Sequence, residues 1–145
     1  MICYRVVRRK YADLSGEGAR LYGGRFNPAG IPAVYSSQSI ALALLEVLVH
    51  IEKTEVPSDY VVMAIRFEGH CVSRPQSAKL LGASQLPTQA FRTAYYRRPI
   101  LRVPSVIIPR EYNYVLFPEA NTFHANIDWT EPLNFDRRLA YSAAR

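Results

Sequence analysis

The chain has 145 residues, of which 49% are hydrophobic and 12% aromatic, so it can bury a hydrophobic core and is not a disordered chain. We therefore expect a single compact domain over residues 1–145. The net charge of +6 raises nucleic acid as a partner, but the basic runs are short and scattered, which favours a solvated basic face.

Two strands and a loop are predicted before residue 36. Residues 2–7 are β-branched and alternate, which predicts a strand with Arg5 on one of its apolar sides. Residues 11–18 are polar and contain glycine, so they predict a loop. A short strand is expected at residues 33–35.

A helix is predicted over about residues 39–52. Ser36 or Ser37 is the expected N-cap, because a serine oxygen accepts a backbone N–H that the first turn leaves unpaired. Glu46 and His50 lie four residues apart and therefore share one stripe of this helix. The remaining stripes are apolar, so we expect the helix to be buried.

The C-terminal half predicts further strands and one helix. The predicted helix covers residues 88–97, within a proline-broken stretch that is otherwise hard to interpret. Strand-like apolar runs occur at residues 60–67, 101–109, 112–117 and 126–135. The sum is a mixed α/β, or α+β, fold with short mixed or antiparallel strands and one buried helix.

Cysteine usage and the N-terminus indicate a cytoplasmic protein. Cys3 and Cys71 lie in apolar contexts without the spacing of further ligands, so neither a disulfide nor a metal site is expected. The first residues lack the apolar stretch of a signal peptide. The longest nearly uncharged segment, residues 31–49, contains Pro32 and Glu46, so no membrane span is expected.

Glu46 is a carboxylate in an otherwise apolar helix. A buried, ionised and unpaired carboxylate would cost several kcal/mol, so it must be hydrogen-bonded, paired with a cation or placed beside a cleft. A structural ion pair with Arg5 or Arg25 is one interpretation, and a catalytic carboxylate is the other. For His50, a core role or a place in the last helical turn is the simpler alternative.

Arg25 lies in a loop rich in glycine and proline, residues 22–28, which read Tyr-Gly-Gly-Arg-Phe-Asn-Pro. The loop is neither a dinucleotide fingerprint nor a P-loop. Its glycines allow a sharp turn that would bring Arg25 inward, where a guanidinium can bind phosphate through two hydrogen bonds. A plain turn with an exposed arginine is the alternative.

Several residues spread over most of the chain carry a family resemblance. They are, in order, Tyr4-Arg5, the run 23–27, Ala33-Val34-Tyr35, Ala43-Leu44-Leu45-Glu46, and Pro104-Ser105 with Asn113 downstream. In this order they resemble the RES-domain family, which is named after its arginine, glutamate and serine.

The resemblance implies a toxin of a bacterial toxin–antitoxin pair with a fold similar to ADP-ribosyltransferases. Such a toxin consumes NAD+ as a substrate, with no cofactor, and cleaves its nicotinamide–ribose bond by hydrolysis or phosphorolysis, which depletes the cell of NAD+ and arrests growth. Other members transfer ADP-ribose to a protein. The implied partner is a helix-turn-helix antitoxin of the Xre type whose C-terminal region blocks the NAD pocket, so nucleic acid would be contacted only through the antitoxin.

The resemblance also assigns roles to the central residues of the site. Cleavage of the nicotinamide–ribose bond develops positive charge on the sugar, and Glu46 is the candidate to stabilise it. Arg5 and Arg25 would neutralise the phosphates, and Tyr35 would offer an aromatic face to nicotinamide or ribose. Glu46, Arg25 and Tyr35 form the predicted catalytic set.

Three more residues complete the predicted NAD-binding set through the same resemblance. Ser105 and Asn113 would make positioning hydrogen bonds, and His50 joins the substrate-binding residues. Taken by themselves, Tyr35, Ser105 and Asn113 fit core or turn positions better than a binding role, and only the family pattern favours the site. Ser105 is not expected to be a nucleophile, because no Ser/His/acid arrangement is evident in the sequence.

Two other function classes stay open at this point. A nuclease-like or RNA-binding toxin is favoured by the positive charge and by residues 95–98, Tyr-Tyr-Arg-Arg, where rings could stack on bases beside cations. A non-catalytic interaction module, in which Glu46 only pairs with an arginine, is the other.

Overall fold

A computed structural model describes residues 1–51, 58–73 and 97–141 of the chain. Within these ranges, seven strands form a sheet in the order β4-β5-β6-β2-β1-β3-β7. Their bounds are Ile2–Arg8 (β1), Val34–Ser37 (β2), Tyr60–Phe67 (β3), Val72–Ser73 (β4), Ile100–Pro104 (β5), Tyr112–Leu116 (β6) and Ala125–Pro132 (β7). The pair β4–β5 is parallel and the other neighbours are antiparallel, so the sheet is mixed.

Helices occupy little of the described chain. Their bounds are Glu17–Tyr22 (α1), Ile40–Leu48 (α2) and Arg137–Tyr141 (α3), with short 3-10 helices at Arg9–Tyr11 and Gly69–Cys71. No helix in the described ranges is long and apolar enough to cross a membrane. The α+β fold class predicted from the sequence is confirmed.

The sheet is held by apolar side chains on both of its faces. On one face, the largest cluster includes Cys3, Met63 and Leu116, which are fully buried. On the other, Val6 of β1 packs with Ala43 of α2. Removing such side chains from water contributes about 25 cal/mol per Å² of apolar area, so α2 is fixed against β1 by its small and branched residues.

The N-terminus of α2 differs from the prediction. Ser39 is the N-cap, and its Oγ accepts the backbone N–H of Leu42 at 3.1 Å. Ser36 and Ser37 lie in β2 and are buried, so neither caps the helix. The strand continues two residues further than the sequence indicated, which moves the cap from Ser36 or Ser37 to Ser39.

The C-terminus of α2 also comes earlier than predicted. The helix ends at Leu48, and the His50 N–H donates to the carbonyl of Val47 at 3.0 Å. This bond spans three residues and tightens the last turn, as is common where a helix stops. The predicted helix end, Glu52, lies outside the described residues. The predicted helix at residues 88–97 also lies outside them, apart from Arg97.

The predicted loop at residues 11–18 is wrong in part, because it overlaps the start of α1. Gly16 has φ +65° and precedes the helix, and Arg20 pairs with Glu17 one turn earlier. A helix of six residues is too short to show an apolar periodicity, so the sequence does not reveal α1.

Two strands end several residues earlier than predicted. β5 stops at Pro104 because Ser105 begins a turn, in which its Oγ accepts the N–H groups of Ile107 and Ile108, both at 3.1 Å. β7 stops at Pro132, and Phe135 then packs edge-on against the Tyr60 ring.

Candidate active site

A cavity of about 520 Å³ opens where β1 and β2 separate. In the described chain these strands pair at one register position, Tyr4 with Ser37, whereas β1 pairs with β3 along its whole length from Ile2 to Arg8. Residues 4–8 of β1 and 35–37 of β2 line the crevice, together with one side of α2. The volume is within the range of small-molecule and cofactor sites.

Glu46 projects from α2 to this cavity and is half-buried. Its Oε1 accepts a hydrogen bond from Asn113 Nδ2 at 2.6 Å and another from Ser105 Oγ at 2.9 Å. Asn113 belongs to β6 and Ser105 follows β5, so two strands hold one helical side chain in place. Among the described residues, Glu46 forms no ion pair with an arginine.

The direction of both hydrogen bonds is fixed by their other partners. The Ser105 Oγ already accepts two backbone N–H groups, so its hydrogen is directed to Glu46. The Asn113 Oδ1 accepts from Ser37 Oγ at 2.7 Å, which turns the Asn113 amide nitrogen toward the carboxylate. Two donors therefore hold Oε1 of Glu46 in one position at the cavity wall.

Tyr35 lines the cavity and anchors the glycine-rich loop. Its hydroxyl donates to Asn27 Oδ1 at 2.7 Å and accepts the backbone N–H of Phe26 at 3.0 Å. Burial raises the pKa of the Tyr35 hydroxyl to about 12, although the backbone groups of Phe26 and Asn27 act in the opposite direction. The two hydrogen bonds of the hydroxyl hold the Tyr35 ring at one position on the cavity wall.

Asn27 holds the rest of that loop together, and sequence reasoning did not assign it a role. The side chain is 1% exposed, and its Nδ2 donates to the carbonyls of Ala19 at 2.8 Å and Ile31 at 2.9 Å. Since its Oδ1 accepts from Tyr35, a single amide connects α1, the loop and β2. An asparagine before a proline in a glycine-rich stretch is the available signal, because such residues satisfy the backbone of turns.

Arg5 lines the cavity but also has a structural role. Its Nη1 donates to the backbone carbonyls of Asp13 at 2.9 Å and Tyr11 at 3.2 Å. Desolvation lowers the pKa of the Arg5 guanidinium, and the Asp13 carboxylate partly offsets this. A guanidinium has five N–H donors, so the two bonds through Nη1 leave others for a ligand.

Arg25 does not occupy the place that the sequence suggested. Its side chain is exposed, it does not line the cavity, and its guanidinium lies 5.3 Å from the centroid of the Phe26 ring. The turn places Phe26 and Asn27 inward instead, because these side chains satisfy the loop. The inward orientation expected for Arg25 is therefore wrong in this structure, and its role in binding stays a prediction.

The other predicted site residues divide into two groups. Glu46, Tyr35, Arg5, Asn113 and His50 line the same cavity, and His50 is exposed there. In contrast, Ser105 is 2% exposed and contacts Glu46 without lining the cavity.

The sequence predicts Ser37 only as a helix cap, but in the structure it lines the cavity beside Asn113. It is 2% exposed and pairs with Asn113 across the β2–β6 ladder. Its hydroxyl fixes the amide that contacts Glu46. A serine in a strand has no sequence signal for such a role, since the partner is 76 residues away.

Comparison with known proteins gives relatives along nearly the whole chain. A family model described as "RES domain" matches residues 2–138. "Toxin Res" of Photorhabdus laumondii is 36% identical over 151 residues, covering 96% of this chain and 97% of that protein. The "Prs ADP-ribosylating toxin" of Sphingobium sp. is 33% identical over 125 residues, covering 73% of each.

A third relative also has a solved structure. "NAD(+) phosphorylase MbcT" of Mycobacterium tuberculosis is 46% identical over 46 residues, which cover 31% of this chain and 25% of that protein. A chain of the crystal structure of the M. tuberculosis MbcT–MbcA toxin–antitoxin complex matches with a TM-score of 0.68 at 21% identity, covering 91% of this chain and 83% of the other. The two chains therefore share a fold. The family model and the Photorhabdus relative show that the chain belongs to the RES domain family.

Proposed function

We propose that this protein is the toxin of a toxin–antitoxin pair and cleaves the nicotinamide–ribose bond of NAD+. The observation that carries the proposal is the Glu46 carboxylate, whose Oε1 is held by Asn113 and Ser105 at the wall of a cavity of about 520 Å³. The names of the relatives support NAD+ as the substrate, since one is an NAD(+) phosphorylase and another an ADP-ribosylating toxin.

Glu46 would act on the sugar. As the bond to nicotinamide lengthens, positive charge develops on the ribose, and a fixed, half-buried carboxylate stabilises that charge without reorganising. Because both fixed donors bind Oε1, the other oxygen is the one available to a ribose hydroxyl or an attacking nucleophile.

The remaining cavity residues would bind the substrate. Arg5 follows Tyr4 of the Tyr4–Ser37 pair on β1, so its guanidinium lies close to the Glu46 network. The guanidinium N–H groups that do not bond to Tyr11 or Asp13 would bind the diphosphate. Tyr35 would place its ring against nicotinamide or ribose. The assignment of Arg25 to phosphate binding would require its exposed side chain to turn inward when NAD+ binds.

The acceptor of ADP-ribose is either a small molecule or a protein. Water would give ADP-ribose, phosphate would give ADP-ribose 1″-phosphate, and a protein side chain would give a modified protein. The name of the Sphingobium relative favours the protein acceptor, and that of the M. tuberculosis relative favours phosphate.

An antitoxin that covers the cavity is part of the same proposal. The solved complex with the same fold contains a toxin and an antitoxin. By the family resemblance, the partner here is a helix-turn-helix protein of the Xre type whose C-terminal region blocks the NAD pocket.

Glu46→Gln tests the catalytic assignment. The glutamine oxygen can still accept from Asn113 and Ser105, so the variant removes charge and keeps the hydrogen bonds. We expect nicotinamide release from NAD+ to fall about 10²- to 10³-fold, with an unchanged melting temperature. Mass spectrometry of labelled NAD+ identifies the acceptor.

The matched control is Glu131→Gln, which neutralises an exposed carboxylate of β7 and should keep full activity. Undiminished nicotinamide release from Glu46→Gln would contradict the role of Glu46. A wild-type protein that leaves NAD+ intact but binds or cleaves RNA in a salt-dependent way would contradict the whole proposal and support the nucleic-acid class.

A further inference from the structure

The cavity is longer than the reacting end of a dinucleotide needs. The Glu46 network meets β1 at Tyr4, which pairs with Ser37, and the cavity continues along the strand to Arg8. Four residues of extended chain span about 13 Å. A ribose bound at Glu46 therefore leaves room for a diphosphate beside Arg5 and for a second nucleoside beyond it.

Two aromatic rings line this far end of the cavity. Tyr60 pairs with Arg8 across β1 and β3, and its ring is held edge-on by Phe135 at a centroid distance of 5.3 Å and an angle of 89°. Tyr11 follows β1 in a 3-10 helix and is 54% exposed. Its backbone carbonyl accepts from Arg5, which holds the segment that carries the ring beside the strand.

Each ring has a cation beside it. The Arg8 guanidinium lies 5.9 Å from the centroid of the Tyr60 ring, and the Lys10 ammonium lies 4.9 Å from that of Tyr11. Bases stack on aromatic faces, and adjacent cations attract both the base and nearby phosphate. The Glu46 end, in contrast, combines a carboxylate with neutral hydrogen-bonding groups, which suits a sugar that becomes positively charged.

We propose that Tyr11, Tyr60 and Arg8 form the subsite for the adenosine half of the dinucleotide, with the diphosphate at Arg5 and the nicotinamide ribose at Glu46. This inference rests on the proposed function for the identity of the ligand. In this arrangement the dinucleotide lies along β1 in one direction, and the adenosine contacts make the protein selective for dinucleotides over nicotinamide mononucleotide.

The first experiment measures binding of ADP by isothermal titration calorimetry, because ADP contains the adenosine half and cannot react. Tyr11→Ala and Tyr60→Leu are each expected to weaken ADP binding about tenfold. Tyr11→Phe and Tyr60→Phe keep the ring and should retain the affinity of the parent. Tyr11→Ala is the safer variant, because the side chain is largely exposed and makes little contact with the core.

The second experiment compares turnover of NAD+ and nicotinamide mononucleotide. Loss of a ring should raise KM for NAD+ about tenfold with kcat unchanged, because the removed contact binds ground state and transition state alike. Turnover of nicotinamide mononucleotide, which lacks the adenosine, should stay unchanged.

Several results would overturn the subsite: no binding of ADP to the parent, equal ADP affinity in parent and ring-deleted variants, or equal losses for NAD+ and nicotinamide mononucleotide. Binding that follows the predicted pattern in a protein that does not cleave NAD+ would leave the subsite intact and refute the proposed function.

Discussion

At the scale of single residues, the site depends on which atom of Asn113 faces Glu46. An amide can present either its oxygen or its nitrogen, and the oxygen would repel a carboxylate. Ser37 selects the productive orientation, because its hydroxyl donates to the amide oxygen at 2.7 Å and leaves the nitrogen to donate to Glu46 at 2.6 Å. Ser37 thus acts through Asn113 and is a positioning residue.

We predict that Ser37→Ala lowers kcat for NAD+ about tenfold, since weakening a hydrogen bond to a charged group costs roughly 1.5–3 kcal/mol and 1.4 kcal/mol corresponds to tenfold. Asn113→Ala should lower kcat at least as much. In the Asn113→Ala background, Ser37→Ala should have no further effect on kcat, because the amide that links Ser37 to Glu46 is already gone.

Steady-state kinetics of the two single variants and the double variant check this prediction, with urea unfolding of each to measure stability. Equal effects of Ser37→Ala in both backgrounds would mean that Ser37 stabilises the fold without positioning the carboxylate. A lower free energy of unfolding of Ser37→Ala with unchanged kcat would likewise indicate a purely structural role.

At the scale of elements, the glycine-rich loop at residues 22–28 can contact the Tyr35 hydroxyl only because residue 24 is a glycine. A Cβ built on Gly24 would lie 2.5 Å from the Tyr35 hydroxyl and 2.6 Å from Asn27 Oδ1. Contacts this short displace both side chains and break their hydrogen bond.

We predict that Gly24→Ala lowers the free energy of unfolding by about 1–3 kcal/mol, the usual cost of overpacking, and reduces NAD+ turnover through the displaced Tyr35 ring. Gly18→Ala is the matched control. Gly18 lies in α1 with nothing within 4 Å of its added Cβ, so alanine there should stabilise the protein by up to about 1 kcal/mol.

Urea unfolding and NAD+ turnover of both variants provide the measurement. Equal stabilities of the Gly24 and Gly18 variants would show that the loop relaxes around the added methyl group, and that Tyr35 does not depend on the close approach.

The elements that could be predicted from the sequence are those whose pattern is local. Seven of the eight residues of β3 are apolar, and the strand has the bounds that the sequence predicts. The apolar residues around Glu46 likewise indicated α2. By contrast, α1 has no such pattern, and the N-cap at Ser39 depends on how far β2 extends, which the partner strand β6 determines.

The site was predictable only where residue type alone carries meaning. A lone carboxylate in an apolar helix identified Glu46, and the family resemblance added Tyr35, Ser105 and Asn113. Ser37 and Asn27 escaped because their roles depend on partners that the fold supplies. Arg25 was misplaced because glycine permits either direction of the turn and the packing of Phe26 and Asn27 decides it.

At the scale of the whole molecule, the sheet consists of two groups of strands that separate at the cavity. One group is β4-β5-β6-β2 and the other is β1-β3-β7, and within the described residues a single register pair, Tyr4 with Ser37, joins them. A ligand in the crevice contacts residues 4–8 of one group and 35–37 of the other. Binding should therefore stabilise the two groups against separation.

We predict that ADP-ribose, which fills the cavity without reacting, slows backbone hydrogen exchange in both β1 and β2. A ligand that binds the folded state alone stabilises it by about 2.7 kcal/mol at 100 times its dissociation constant, and amides that exchange when the crevice opens report that gain. The outer strand β7 lies two positions away from the junction, and its residues are mostly exposed, so its local exchange should change least.

Mass spectrometry of the exchanged protein with and without ADP-ribose makes the comparison. Protection confined to β7, or protection of β1 without β2, would show that the ligand binds elsewhere or to one side of the crevice, and that the two groups do not close on it together.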